Sequence, residues 1–207
     1  DAVEINTIAE KQLEKMEQEL TEDPNIKTSI RVVEAFLKSH RVMCYGGTAI
    51  NNLLKPKHQF YDFSREVPDY DFYSATPQEH AMEVADKLMA AGVPDVQVKP
   101  GIHLGTFKVF GDYTGVADVS NMDVELFDRL WDEGYEKEGI HYVTPNFLRM
   151  STYLELSRPE GDVSRWNKVY NRMMLLNDEY PLTCKEDTPS DNVLSPQRTK
   201  QAIKMLQ

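Results

Sequence analysis

The sequence predicts an α+β fold, a mixed sheet with interleaved helices that is preceded and followed by helical segments. Three observations carry that expectation. Apolar residues recur at helical spacing near both ends of the chain. Between them, residues 69–74 alternate polar and apolar as a strand does. Finally, Gly111-Asp112-Tyr113-Thr114-Gly115 joins two further strand-like runs as an antiparallel connection would.

The elements follow in order. Residues 8–22 read as a charged helix with Leu13, Met16 and Leu20 on one face, exposed or turned toward a partner. A second helix begins near residue 25, where Ile26, Ile30, Val33 and Leu37 share a stripe. Residues 41–45 form a short apolar strand, broken by Gly46-Gly47, and residues 48–54 start a helix. A polar loop over 56–68 ends at Pro68, and the strand over 69–74 follows. Thr76-Pro77-Gln78-Glu79 has the form of a capping box, with Ala81, Val84, Ala85, Leu88 and Met89 on the inner face behind it and Gly92 as the stop. Strands are expected at 95–99, 103–110 and 115–120, a short helix at 123–132 and a strand at 140–143. Thr144-Pro145 opens a helix to Ser157. A last helix over 162–177 turns Trp166, Val169, Tyr170 and Met173 inward, and Met174 is expected in the core with Met173. Residues 183–196 are rich in Pro, Ser, Asp and Thr and read as a linker, with Ser195-Pro196 opening a terminal helix. The expected division is therefore a helical segment over 1–40, a mixed-sheet domain over 41–182, and a linker with a terminal helix over 183–207.

Composition narrows the function classes. The chain has 207 residues, of which 41% are hydrophobic and 28% charged, enough for one sizeable core. No apolar run approaches the ~20 residues that span a bilayer, so no membrane partner is expected. The first residue is Asp and no secretory signal precedes it, so a trimmed start is expected. Cys44 and Cys184 lie far apart, outside any zinc-like spacing, and a reducing compartment is expected. The net charge of -11 argues against strong binding of nucleic acid by basic surface alone. It does not exclude nucleotide chemistry, because acids bind metal ions and metal ions bring in phosphates.

The most informative stretch is Pro68-Asp69-Tyr70-Asp71-Phe72-Tyr73. Strand periodicity puts Asp69 and Asp71 on one face and Tyr70 and Phe72 on the other. Two neighbouring carboxylates repel, and a divalent cation relieves the repulsion. Taken alone, Asp-x-Asp is also what a solvated edge strand shows. A third acid, Asp118, stands in the otherwise apolar Val116-Ala117-Asp118-Val119, where a lone charge is costly unless it serves a site or is paired. Three convergent carboxylates suit two metal ions about 3.5–4 Å apart. Gly46-Gly47-Thr48 lies between a strand and a helix, where backbone N–H groups and the helix dipole favour a phosphate and Thr48 adds a hydroxyl. An ordinary tight turn has the same residues. No Gly-Lys-Ser/Thr follows, so this is no P-loop.

The order of these parts resembles the nucleotidyltransferase superfamily that includes DNA polymerase beta and the poly(A) polymerases. A closer resemblance rests on Tyr45-Gly46-Gly47-Thr48-Ala49-Ile50-Asn51, Pro68-Asp69-Tyr70-Asp71-Phe72, Gly101-Ile102-His103 with Thr106 and Lys108, and Val116-Ala117-Asp118. It extends through Pro145-Asn146-Phe147-Leu148-Arg149-Met150, Glu155-Leu156-Ser157-Arg158-Pro159, Gly161-Asp162 and Ser164-Arg165-Trp166. Over about residues 41–182 the chain is similar to the catalytic subunit of poly(A) polymerases from large DNA viruses, the poxvirus-like family.

That resemblance implies a polymerase-beta-like fold with residues 41–182 as the catalytic domain. It implies ATP as substrate, Mg²⁺ or Mn²⁺ as cofactor and an RNA 3′ end as acceptor. Asp69 and Asp71 would bind both metals, and Asp118 the one that activates the 3′-hydroxyl. Gly46, Gly47 and Thr48 would hold the triphosphate. The reaction would be template-independent adenylyl transfer, by in-line attack on the α-phosphate with pyrophosphate leaving. A second copy or a processivity subunit would be the protein partner, and the place of action the viral factory in the host cytoplasm, or the virion. Members of the family are longer and carry a further C-terminal domain, which 183–207 would begin.

Several residues have two readings. Lys168 and Arg165, on the late helix, reach a triphosphate or stay on a solvated face. Lys108 faces the cleft or solvent, and Arg149 and Arg158 are expected to pair with acids. His103 contacts a nucleotide or is a satisfied structural histidine. Two alternatives to polyadenylation stand: transfer to another acceptor, such as a small molecule or protein hydroxyl, and a non-catalytic virion or scaffold protein with the same fold.

Overall fold

The computed structural model describes residues 18–158 and 163–182, together with residues 12, 15 and 16. The expected linker and terminal helix over 183–207 and Leu13 of the first helix lie outside the described residues. Helix α1 (Pro24–Ser39) is capped by Asp23, whose carboxylate accepts from the N–H groups of Asn25 and Ile26, and Ile26, Val33, Phe36 and Leu37 form its buried stripe. Strand β1 (Met43–Tyr45) runs into α2 (Gly46–Leu53) without a connecting loop. Strand β2 (Tyr70–Ser74) precedes α3 (Pro77–Ala90). Strands β3 (Gln97–Pro100), β4 (Thr106–Gly111) and β5 (Thr114–Asn121) form a meander. Helix α4 (Val124–Glu133), strands β6 (Tyr135–Lys137) and β7 (Ile140–Tyr142), and helices α5 (Pro145–Ser157) and α6 (Trp166–Glu179) complete the described fold.

Among the described residues, seven strands make one sheet in the order β3-β4-β5-β2-β1-β7-β6. The sheet is mixed: β2 pairs parallel with β5 and β1 parallel with β7, while the other pairs are antiparallel. This is the α+β architecture that the sequence predicts.

One face of the sheet is closed by α1 and α3. Tyr70 and Phe72 of β2 point into that layer, 4% and 0% exposed, with Phe36 of α1 at 5.8 Å from Phe72 and the Tyr70 hydroxyl donating to Glu34. Val109, Ala117 and Val119 join the same core with Val84 and Leu88 of α3. The β4–β5 turn is two residues long, and Asp112 and Tyr113 both have positive φ, the twist that a two-residue hairpin requires. Asp112 is held there by its N–H on Pro94 and its carboxylate on Asn25.

Four expectations need correction. The capping box at Thr76 is absent: the Thr76 side chain caps nothing, and Ser74 accepts from the Thr76 N–H instead. Met89, expected inside, is exposed because α1 and the sheet already cover Ala81, Val84, Ala85 and Leu88. Trp166, Tyr170 and Met174 are also exposed, and α6 buries Val169, Arg172, Met173 and Leu176, a stripe shifted toward the end of the helix. Strand β4 starts at Thr106 rather than 103, since Gly105 takes a positive φ and turns the chain beside Asn121. Strand β6 was not expected: Tyr-Glu-Lys is exposed throughout, and its pairing partner, not its own periodicity, makes it a strand. Among the described residues no helix is long and apolar enough to cross a membrane.

Candidate active site

The second face of the sheet carries the acids. Tyr45, Asp71, Asp118 and Lys108 lie on one rung, paired residue to residue across β1, β2, β5 and β4. Paired residues project to the same face, so Asp71 and Asp118 stand side by side on neighbouring strands. Asp69, just before β2, has the same parity and opens onto the cleft. The next rung, Tyr73, Ser120 and Thr106, floors this region. Tyr73 stacks on Tyr45 at 3.9 Å, and the Tyr45 hydroxyl meets Ser120 Oγ at 2.8 Å.

The carboxylates feel one another. Desolvation, then the charges of Asp69 and Asp118, push the Asp71 carboxyl up to about 8. Desolvation and Asp118 also raise the Asp69 carboxyl, against the pull of Lys108 and Lys168. Lys108 Nζ donates to Asp118 Oδ2 at 2.5 Å. Burial is the largest influence on Lys108 and opposes its charge, but the bond to Asp118 and the charges of Asp118, Asp69 and Asp71 together outweigh it and hold the ammonium above its ordinary value. Of the two positions open to Lys108 in the sequence, the cleft is the one it takes.

The glycine turn abuts this pair. Gly46 has φ +76°, and a Cβ there would stand 2.2 Å from Asp71 Oδ2. A side chain at Gly46 would therefore occupy the place of the carboxylate. The N-terminus of α2 has no side-chain cap and no acid in its first turn, which leaves it suited to an anion. Thr48 is a correction in part. Its hydroxyl, expected to face a phosphate, is buried and donates to the Asp69 carbonyl at 2.6 Å. Thr48 thus ties the glycine turn to the start of β2.

A cleft of about 740 Å³ opens beside the acids, lined by Asp69, Asp118, Lys108, Lys168 and Arg172 among others. Lys168 is exposed on α6 and near enough to Asp69 to favour its charge. Arg165 pairs with Glu155 at 3.3 Å and also favours the charged form of Asp71. Arg149 does not pair with an acid as expected. It is buried and donates to Asn177, Asn146 and the Tyr180 carbonyl, locking α5 to α6. His103 is exposed in the turn before β4.

Arg172 was missed in the sequence. It is 8% exposed, its Nη2 donates to the Tyr61 hydroxyl, and its guanidinium lies 4.8 and 5.1 Å from the rings of Phe60 and Tyr61. The signal was available: one cation inside the stripe Val169, Arg172, Met173, Leu176.

The donor set fits a divalent ion. The oxygens are carboxylate, the class Mg²⁺ and Mn²⁺ prefer, and the raised Asp71 carboxyl records burial first and then the repulsion of Asp69 and Asp118, both of which a cation would offset. Among the described residues no group of three or more His, Cys, Asp or Glu side chains is placed to hold a metal ion by itself. If a divalent ion binds, the acids would give only part of its shell, and substrate phosphates and water complete sites of that kind.

Comparison with known proteins adds the following. The family model for the poly(A) polymerase catalytic subunit matches residues 31–162. A candidate poly(A) polymerase catalytic subunit of Acanthamoeba polyphaga mimivirus is 29% identical over 74% of this chain and 26% of its own length. Its counterpart in African swine fever virus, isolate Pig/Kenya/KEN-50/1950, is 31% identical over 76% of this chain and 34% of its own. The crystal structure of the Megavirus polyadenylate synthase superposes with a TM-score of 0.77 at 24% identity, over 91% of this chain and 39% of that one. This chain therefore spans about a quarter to a third of the curated relatives it matches.

Proposed function

Since the chain belongs to the poly(A) polymerase catalytic subunit family, we propose that it carries a nucleotidyl-transfer centre that moves an adenylyl group from ATP to an RNA 3′ end. The pairing of Asp71 with Asp118 on adjacent strands, with Gly46 against the Asp71 carboxylate, carries this reading.

Asp69, Asp71 and Asp118 would hold Mg²⁺ or Mn²⁺, which when bound supplies positive charge to the phosphates and eases loss of the acceptor proton. The other parts belong to the chain. The Gly46-Gly47 turn and the uncapped start of α2 receive the triphosphate by backbone N–H groups. Lys168 and Lys108 add positive charge on the cleft wall. Thr48 holds the turn and Asp69 in one frame. The new bond joins the 3′ oxygen to the α-phosphorus as the bond to pyrophosphate breaks, and fixed geometry is the main contribution of the protein. With a net charge of -11, grip on RNA is expected from a partner subunit or a second copy. The expected place of action is the viral factory or the virion.

Incubating the chain with ATP, Mg²⁺ and a short RNA should lengthen the RNA. Asp71→Asn should lower the rate at least about 100-fold, the scale of losing a preorganised electrostatic group. Equal rates for wild type and Asp71→Asn would end the proposal. Labelled ATP with other acceptors tests the alternative acceptor, and absence of Mn²⁺ binding by calorimetry would favour a scaffold.

A further inference from the structure

Arg172 is a cation in an apolar stripe, and its surroundings leave part of its guanidinium without a partner. Its buried Nε has no hydrogen-bond partner among the described residues. A buried guanidinium with an N–H left unbonded is costly. The rings of Phe60 and Tyr61 and the Tyr61 hydroxyl recover part of that cost. An anion would recover more.

Position identifies the anion. Arg172 Nη1 and the Tyr61 hydroxyl stand 2.7 and 2.8 Å from the place a Cβ on Gly47 would take, so the guanidinium packs on the glycine turn itself. That turn opens α2, whose first turn has no cap and no acid. Arg172 also lines the cleft, where Lys108 and Lys168 add two further cations. A planar guanidinium beside free backbone N–H groups is the arrangement that recognises phosphate oxygens.

We propose that Arg172, held by Phe60 and Tyr61 against Gly47, forms with the glycine turn the subsite for the β- and γ-phosphates of the nucleoside triphosphate, and for pyrophosphate as it leaves. Tyr61 orients the guanidinium, and the cleft-facing N–H groups contact the phosphates. The identity of the nucleotide rests on the adenylyl-transfer reading, but the subsite itself is tested without catalysis.

Calorimetry of the full chain in Mg²⁺ with inorganic triphosphate, and separately with AMP, provides the test. Arg172→Gln should bind triphosphate about 10- to 100-fold more weakly and AMP within about twofold of wild type, the size of a lost charged hydrogen bond. Arg172→Lys, which keeps the charge but not the planar fork, should fall between them. Unchanged triphosphate binding by Arg172→Gln, or an equal loss for AMP, overturns the subsite, the second outcome assigning Arg172 a structural role. If neither variant folds, a structure of the wild type soaked with triphosphate decides: phosphate on Arg172 supports the subsite and phosphate elsewhere removes it. Failure of wild type to lengthen RNA, with triphosphate binding still dependent on Arg172, would end the catalytic reading and leave the subsite standing.

Discussion

The two faces of β2 differ as sharply as two proteins do. Tyr70 and Phe72 enter a layer where the aromatic rings are packed and the Tyr70 phenol has its acceptor, Glu34. Asp71, one residue away from each, faces a glycine and two other carboxylates, and burial raises its carboxyl rather than satisfying it. One face is arranged for stability and the other keeps an electrostatic conflict. A strand that serves both ends has its rigidity supplied from behind, which holds the conflict in place.

The contrast is broken most severely by substitution on either face of this strand. Phe72→Ala should cost about 3–5 kcal/mol by emptying a fully buried position, seen as a large fall in Tm. Asp71→Asn should instead keep or raise Tm while removing transfer, because it deletes a charge that folding disfavours. A similar loss of Tm in both variants would mean that the faces are not specialised.

Gly46→Ala joins the two effects at lower amplitude. A positive φ costs a residue with a Cβ about 1–2 kcal/mol, and the new methyl must displace Asp71 Oδ2. Lower Tm and transfer reduced at least about tenfold are expected, by melting and by RNA extension. A fully active Gly46→Ala would show that the Asp71 carboxylate does not need its place beside the turn.

Acidity gives the most graded effect. The Asp71 carboxyl titrates near 8 in the folded chain against an ordinary 3.8. The folded state then retains a proton that the unfolded chain releases. Its contribution to stability is fully present below about pH 4 and is lost as pH rises through about 8. In chelator, melts between pH 5 and 8 should show wild type losing stability relative to Asp71→Asn, and Mg²⁺ or Mn²⁺ should reduce the loss. Parallel pH profiles for the two proteins would remove Asp71 as the source.

Much of the site was legible because its signals are local. Asp69 and Asp71 share a face by strand parity alone, and Gly46-Gly47 marks a turn where strand meets helix. The division of β2 into a core face and an acid face follows from the same alternation. Elements with weak periodicity were not legible. Strand β6 is polar on both faces, and the core stripe of α6 is displaced from the one that Trp166 and Tyr170 mark, because aromatic residues at a rim read like core residues. Thr76 has the spacing of a capping box, but Ser74 supplies the hydrogen bond.

By itself, the sequence determined the α+β class, the acid-bearing strand and the glycine turn, since each depends on residues within a few positions of one another. Only the tertiary structure decided that Asp118 stands beside Asp71, that Lys108 holds Asp118, that the Thr48 hydroxyl turns to Asp69 and that Arg172 reaches Gly47. Those contacts join residues distant in the chain, and their register is set by how the whole sheet and its helices bury their apolar faces, a condition that no short stretch encodes.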